Sequence, residues 1–288
     1  MAHSPLGEFF SDCVGRFAIV LGTSEIASAV AVELTMEGFR VVMSHDPFPP
    51  VIRRGMAFHD ALFDDHAEVE GVIGRRAHTV IEVVEAMAHP RSVAVTHLQL
   101  SDLLTLRAPD VLIDARVQKL GLVPNLRKIS RVSIGLGPHF VAGLNCDVTV
   151  ETHPSDAGRL VEQGATLADD HSPRFLGGVG RERFIYSARG GIWRTPLDIG
   201  AHVFKGFVIG RLDGFPVVSP MDGFLRGVAR DGSRTPMSVK IVEVDPRGRD
   251  SSWEGRDERG RAIAEATIRA IALAAQGQKS LPPAVTLH

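Results

Sequence analysis

The stretch from 17 to 45 reads FAIVLGTSEIASAVAVELTMEGFRVVMSH. It opens with an apolar run that closes on Gly22. A helical segment follows, with Ile26, Ala27, Val30 and Leu34 at helical spacing and Gly38 placed to cap its end. A second apolar run, 40–45, completes a strand, glycine turn, helix and strand, the βαβ unit. Downstream the alternation continues. HTVIEVVEAMAH (78–89) reads as a helix and RSVAVTH (91–97) as a strand; LSDLLTLR (100–107) reads as a short helix and DVLIDAR (110–116) as another strand. Apolar strands separated by helices predict a parallel sheet covered on both faces, a Rossmann-like α/β domain over 16–132.

After residue 133 the texture changes. In SIGLGPHFVAGLNCDVTVET (133–152) glycines and a proline separate two strand-like runs, as a hinge or as a ligand-cradling loop. Helical periodicity is then sparse until 258. Short β-like runs alternate with turns, and Asp-Gly pairs at 213–214, 222–223 and 231–232 are hairpin signals. This density of turns predicts a small β-barrel or sandwich over 133–250. RAIAEATIRAIALAA (261–275) is a last helix whose apolar stripe packs on the body, so 251–276 forms a third segment. Residues 1–15 and 277–288 read as tails, the latter poorly ordered.

Composition narrows the function classes. Apolar content of 44% with 23% charge is that of a soluble globular chain. A formal net charge of −2 and alternating signs in RGRDSSWEGRDERGR (247–261) argue against a nucleic-acid partner. No run is long enough to span a membrane, and the N-terminus does not read as a signal peptide. Cys13 and Cys146 form no CxxC or metal spacing, which fits a reducing cytoplasm.

Candidate site residues follow from the α/β reading. Gly22, Thr23 and Ser24 occupy the turn where a dinucleotide fold aims amides and a helix N-terminus at phosphate. Ser24 replaces the second glycine of G-x-G and narrows that approach, which favours a Rossmann-like fold that keeps its shape without binding a dinucleotide. Asp46 is the acid available for a ribose hydroxyl. Arg53 and Arg54 follow a rigid PFPP segment and suit phosphate oxygens, or else are surface charge. Asp114 ends a strand where ligands meet open α/β sheets, and Arg116 and Lys119 make a mixed-charge rim with it, although a capping aspartate beside solvated cations explains the same residues. Gly135, Gly137, Pro138 and Gly143 form the central loop with His139 inside it, and loop amides there could face an anion. His139 and His153 are the histidines worth testing; Cys146 reads as a small buried hydrophobe. No metal site is expected.

Several segments, in this order, resemble the accessory proteins of selenium-dependent molybdenum hydroxylase systems, relatives of the xanthine dehydrogenase accessory (maturation) proteins. They are GTSEIASAVAVELTMEGFRVVM, PPVIRRGMAF, PDVLIDARVQK, IGLGPHFVAG, DVTVET, SPMDGFLRGVARDG and VKIVEVDPRG, and they run from about 17 to 275. The resemblance implies a Rossmann-like N-terminal domain with a C-terminal barrel-sandwich (biotinyl/lipoyl-like) β domain. It carries over Gly22, Arg53, Arg54, Asp114, Lys119, Gly135, Gly137, Pro138, Gly143, Glu151, Gly158, Arg159, Asp245, Pro246 and Arg247. The chain departs from the family at Gly22-Thr23-Ser24-Glu25, usually G-A-G-D, at His45 in place of an acid, and at HPSDAGR in place of an R-G-H sequence. The asparagine expected near Lys119 is absent too. These departures fall on the expected ligand face.

The resemblance implies a maturation factor that binds a phosphate-bearing small molecule between its domains, a molybdopterin-type or other pterin or a nucleotide, and serves a client molybdenum hydroxylase. A homo-oligomer is expected. No lysine tops a hairpin at Pro220-Met221-Asp222-Gly223, so no covalent lipoyl or biotin is expected. The rival readings are an NAD(P)-dependent oxidoreductase acting on a pterin or one-carbon carrier, and a non-enzymatic protein-binding scaffold.

Overall fold

A nine-stranded mixed sheet organises the molecule. The computed structural model describes residues 15–118, 123–170 and 173–279. The sheet contains β1 (Phe17–Leu21), β2 (Arg40–Ser44), β3 (His66–Val69), β4 (Val72–Ala77), β5 (Ser92–Thr96), β6 (Val111–Asp114), β7 (Val132–Leu136), β9 (Val148–Val150) and β10 (Leu160–Val161). Their order is β10-β9-β7-β6-β1-β2-β5-β4-β3, with the two end strands, β3 and β10, antiparallel to their neighbours and the rest parallel. Strand residues alternate between two apolar layers. Ala18, Val20, Val41 and Met43 face one, and Phe17, Ile19, Val42 and Leu112 face the other, so both faces are dry.

Helix α1 (Glu25–Met36) forms where the sequence signals it. Ser24 is its N-cap and accepts from the Ala27 amide at 3.4 Å. At the other end Gly38, with φ of +79°, lets the Phe39 amide reach the Leu34 carbonyl at 2.9 Å. Helix α1 is buried almost all round because the C-terminal helix lies across it. Three short helices, α2 (Ala61–Asp64), α3 (Val80–Ala88) and α4 (Leu100–Leu103), complete the N-terminal part. The hairpin β3–β4, which turns on Glu70 and Gly71 (φ +49° and +78°), was not read from the sequence.

The expected architecture, a Rossmann-like domain up to 132 followed by a barrel-sandwich-like β domain, is not what the chain builds. Strands β7, β9 and β10 lie beyond or across that boundary, yet extend the large sheet. The reading followed the loss of helices after 133, but a parallel strand needs a covering helix, not one next in sequence. That cover is supplied by α5 (Glu258–Lys279), which packs on α1, β7 and β9. Two short strands, β8 (Val141–Ala142) and β11 (Gly164–Ala165), pair beside the large sheet.

The remaining strands form two open four-stranded antiparallel sheets, and among the described residues no closed barrel is found. One has the order β12-β19-β17-β14, from β12 (Phe184–Tyr186), β14 (His202–Val203), β17 (Gly223–Val228) and β19 (Lys240–Asp245). The other is β16-β15-β13-β18, from β13 (Gly191–Arg194), β15 (Val208–Leu212), β16 (Phe215–Val218) and β18 (Arg234–Thr235). Trp193, Ile209, Leu225, Ile241 and Val244 fill their shared core. Of the three Asp-Gly pairs, 213–214 closes a hairpin, with both residues at positive φ (+51° and +83°). The pair at 222–223 does not. A Cβ on Gly223 would lie 2.3 Å from the Asp245 carbonyl oxygen, so glycine there permits a close strand approach.

Candidate functional site

The carboxyl ends of β1, β6, β7 and β9 open onto a cleft of about 640 Å³, whose opposite wall comes from β12, β17, β19 and the start of α5. That size suits a small-molecule ligand. Its lining includes Ser24, Glu25, Arg53, Arg116, Pro138, Glu151, His153, Arg183, Arg226, Lys240, Glu243, Arg247 and Arg259, with Leu167, Phe175 and Phe184 as apolar elements.

Glu243, in the apolar strand β19, is the centre of the floor and is fully buried. Arg53 grips it with two donors, Nε to Oε2 at 2.7 Å and Nη2 to Oε1 at 3.2 Å. Arg183 Nε donates to Oε1 at 3.1 Å, and Arg226 Nε lies 3.7 Å away. Arg53 Nη1 also donates to Glu25 at 3.0 Å. Burial opposes the Glu243 charge, but Arg53, Arg226 and Arg183 outweigh it and hold the carboxyl below its ordinary range. Burial likewise opposes the charge of Arg53, yet Glu243 and Glu25 hold its pKa above the usual arginine value. For Arg183, Arg226 and Arg259 burial wins, and their pKa values fall.

The cleft brings together some of the predicted site residues and scatters the rest. Ser24, Arg53 and Pro138 line it. Arg54 does not; it is a buried strut that donates to the Val228 carbonyl at 2.9 Å and pairs with Asp60 and Asp198. Asp114 is buried and occupied by Arg116, whose Nε donates to it at 2.9 Å. Lys119 and Cys13 lie outside the described residues, as do the predicted tails except for their innermost residues.

The glycine turns are used for packing. Gly22 has φ of +107°, its amide donates to the Ser44 carbonyl at 2.8 Å, and a Cβ there would crowd Ala115 and Arg116 at 3.3 Å. A Cβ on Gly135 would lie 2.1 Å from the Phe140 ring. The Gly137 amide (φ +94°) donates to Val150, and the Gly143 amide to Cys146. His139 is exposed and outside the cleft lining, and its carbonyl accepts from Asn145 at 3.1 Å. The loop's one contribution to the cleft is therefore Pro138. Cys146 is buried, which pushes its thiol up to about 12.

Thr23 belongs to a second rim cluster that sequence reasoning passed over. Its Oγ1 lies 3.2 Å from His45 Nδ1 and 3.1 Å from His59 Nδ1. The His45 ring centroid is 5.1 Å from that of His59 and 5.1 Å from that of His97. Burial, reinforced by His97, pushes His45 down to about 4; burial, reinforced by His45, Arg54 and Arg230, pushes His59 down to about 3. Both are neutral imidazoles at neutral pH. The signal was present: His45 and His97 each follow a strand end, and β2 pairs with β5 in parallel at Ser44 and Thr96.

Among the described residues no group of three or more His, Cys, Asp or Glu side chains is placed to hold a metal ion, and no helix is long and apolar enough to cross a membrane. Over 257 residues the chain is 30% identical to the uncharacterized protein YqeB of Escherichia coli (strain K12), an alignment covering 89% of this chain and 47% of that protein. The chain thus spans about half the length of the curated relative it matches. No family model matches the chain, and no solved structure matches it.

Proposed function

We propose that the protein is an accessory or maturation factor for a molybdenum-cofactor-dependent hydroxylase and holds a phosphate-bearing pterin or nucleotide in the cleft. The observation that carries the reading is the floor, where Arg53, Arg183 and Arg226 converge on the single buried carboxylate of Glu243. Guanidinium groups suit phosphate oxygens. Phe175 and Leu167 offer exposed apolar surface to a flat ring system. The family half of the reading rests on the ordered segments that resemble molybdenum hydroxylase accessory proteins. NAD(P) chemistry has less support: Ser24 caps α1, Thr23 is taken by histidines, and the Glu25 carboxylate stands in the first turn of α1, where a pyrophosphate would meet like charge.

The test is to purify the protein natively and identify co-purifying small molecules by mass spectrometry, then to measure thermal shifts with molybdopterin and with nucleotides. A bound pterin or nucleotide, or a saturable shift, supports the reading. A ligand-free protein that none of these compounds stabilises overturns it.

A further inference from the structure

Every arginine lining the cleft is anchored, but two lack a carboxylate of their own. Arg53 has Glu25 and Glu243, Arg226 has Asp257, and the remaining cleft arginines apart from Arg183 and Arg259 are likewise paired. Arg183, 2% exposed, shares Glu243 with Arg53 and gives Nη1 to the carbonyls of Val179 (3.0 Å) and Gly180 (2.6 Å). Its Nη2 has no acceptor among the described residues. Arg259 gives Nε and Nη2 to the Thr152 carbonyl at 3.1 and 2.6 Å, and its Nη1 is likewise left over. Arg226, 4% exposed, donates through Nη1 to Ser252 and through Nη2 to Asp257, and its Nε is buried 3.7 Å from Glu243, so Arg226 is taken up by the floor.

We propose that Arg183 and Arg259 form an oxyanion subsite in the cleft that takes the phosphoryl end of the ligand. The inference rests on the reading that the cleft binds a phosphate-bearing molecule, and it names where the phosphate goes. Both guanidinium groups are fixed by some of their nitrogens and have another left over, so the donors are oriented before the anion arrives. Both line the same cleft, and the charge of Arg53 disfavours the charged form of each. A buried cation without its own counterion is costly, and an entering oxyanion relieves that cost. A diphosphate, with oxygens for more than one guanidinium, suits the set better than a carboxylate.

Inorganic pyrophosphate is the probe, titrated calorimetrically into the full chain, with acetate as the comparison. The wild type should bind pyrophosphate and not acetate. Arg183→Gln and Arg259→Gln should each weaken binding at least tenfold, and the pair should abolish it. Ser24→Ala tests the glycine turn as the rival anion site, and Arg189→Gln, outside the cleft lining, is the control that should change affinity less than threefold. If Arg183→Gln does not fold, Arg183→Lys and Arg259→Gln carry the comparison. Pyrophosphate affinity that falls with Ser24→Ala and survives the arginine changes overturns the subsite. So does a wild type that ignores pyrophosphate while a whole nucleotide or pterin still stabilises it, and that result leaves the cleft reading standing. A wild type stabilised by none of these overturns both.

Discussion

Glu243→Gln keeps the shape of the cleft floor and removes its central charge. Three arginines then face one another with no buried carboxylate between them, because Arg53, Arg183 and Arg226 all lean on Glu243. Breaking a buried ion pair by removing one partner costs about 3–5 kcal/mol. For a chain of this size each kcal/mol moves the melting temperature by roughly 2–4 °C, so a fall of about 10 °C is expected. Pyrophosphate should stabilise the variant more than the wild type, since the anion supplies the missing charge. The pH dependence has a definite sign. Glu243 is held below its ordinary range, so its contribution is present above the unfolded carboxylate pKa of about 4.3 and is lost as pH falls through the lower, folded value. The stability gap between wild type and variant should be flat from about pH 6 to 8 and close in acid. Calorimetry across that range measures it. A variant within about 1 kcal/mol of wild type at neutral pH refutes the view that Glu243 holds the floor together.

Other expectations follow from the rim and the turns. His45 and His59 are neutral when folded, with values near 4 and 3, so acid from the unfolded pKa of about 6.5 downwards destabilises the fold by up to about 1.4 kcal/mol per pH unit for each ring. His59→Phe should flatten that slope in urea unfolding measured at stepwise pH, and an unchanged slope would show that the ring protonates freely. Gly135→Ala forces a Cβ to 2.1 Å from the Phe140 ring and should cost about 3 kcal/mol or more, whereas Gly143→Ala, at φ +79° with nothing nearby, should cost about 1 kcal/mol; denaturant midpoints decide it. Arg54→Ala removes the strut to Val228, Asp60 and Asp198, so it should lower the melting temperature while the folded protein keeps its pyrophosphate affinity within about threefold. A selective loss of binding with stability intact would move Arg54 into the site.

Local signals were legible and long-range ones were not. The βαβ unit could be read because strand, turn, helix and strand are consecutive, and Ser24 and Gly38 mark the helix ends. The place of β7 and β9 in the large sheet could not, because the helix that covers them arrives at residue 258. Arg53 could be nominated from its neighbourhood, but its partners Glu243 and Glu25 come from the far end of the chain and from the first helix. A clue to Glu243 does stand in the sequence. A carboxylate at the middle of the apolar run IVEV, in a strand with buried residues on both sides, requires a buried cation, and Arg226 on the neighbouring strand β17 is one. Glycine-rich loops misled in a specific way: Gly135 and Gly137 are required by the crowding of Phe140, Thr152 and Val117, and neither supplies a free amide to an anion.

The cleft is therefore a junction before it is a pocket. Arg53 stands between its two walls, with Nη1 on Glu25 at the start of α1 and Nε and Nη2 on Glu243 in β19. Nearby, the Val228 amide donates to the Ile52 carbonyl, so the segment that carries Arg53 is also bound to the opposite wall through its backbone. A ligand anion cannot take over Arg53 without displacing one of two carboxylates, and displacing the fully buried Glu243 is the costlier choice. The guanidinium groups that need no displacement are Arg183 and Arg259. Arg53 thus aligns the two walls and sets the charge balance, while the proposed phosphate site draws on the nitrogens left over on Arg183 and Arg259.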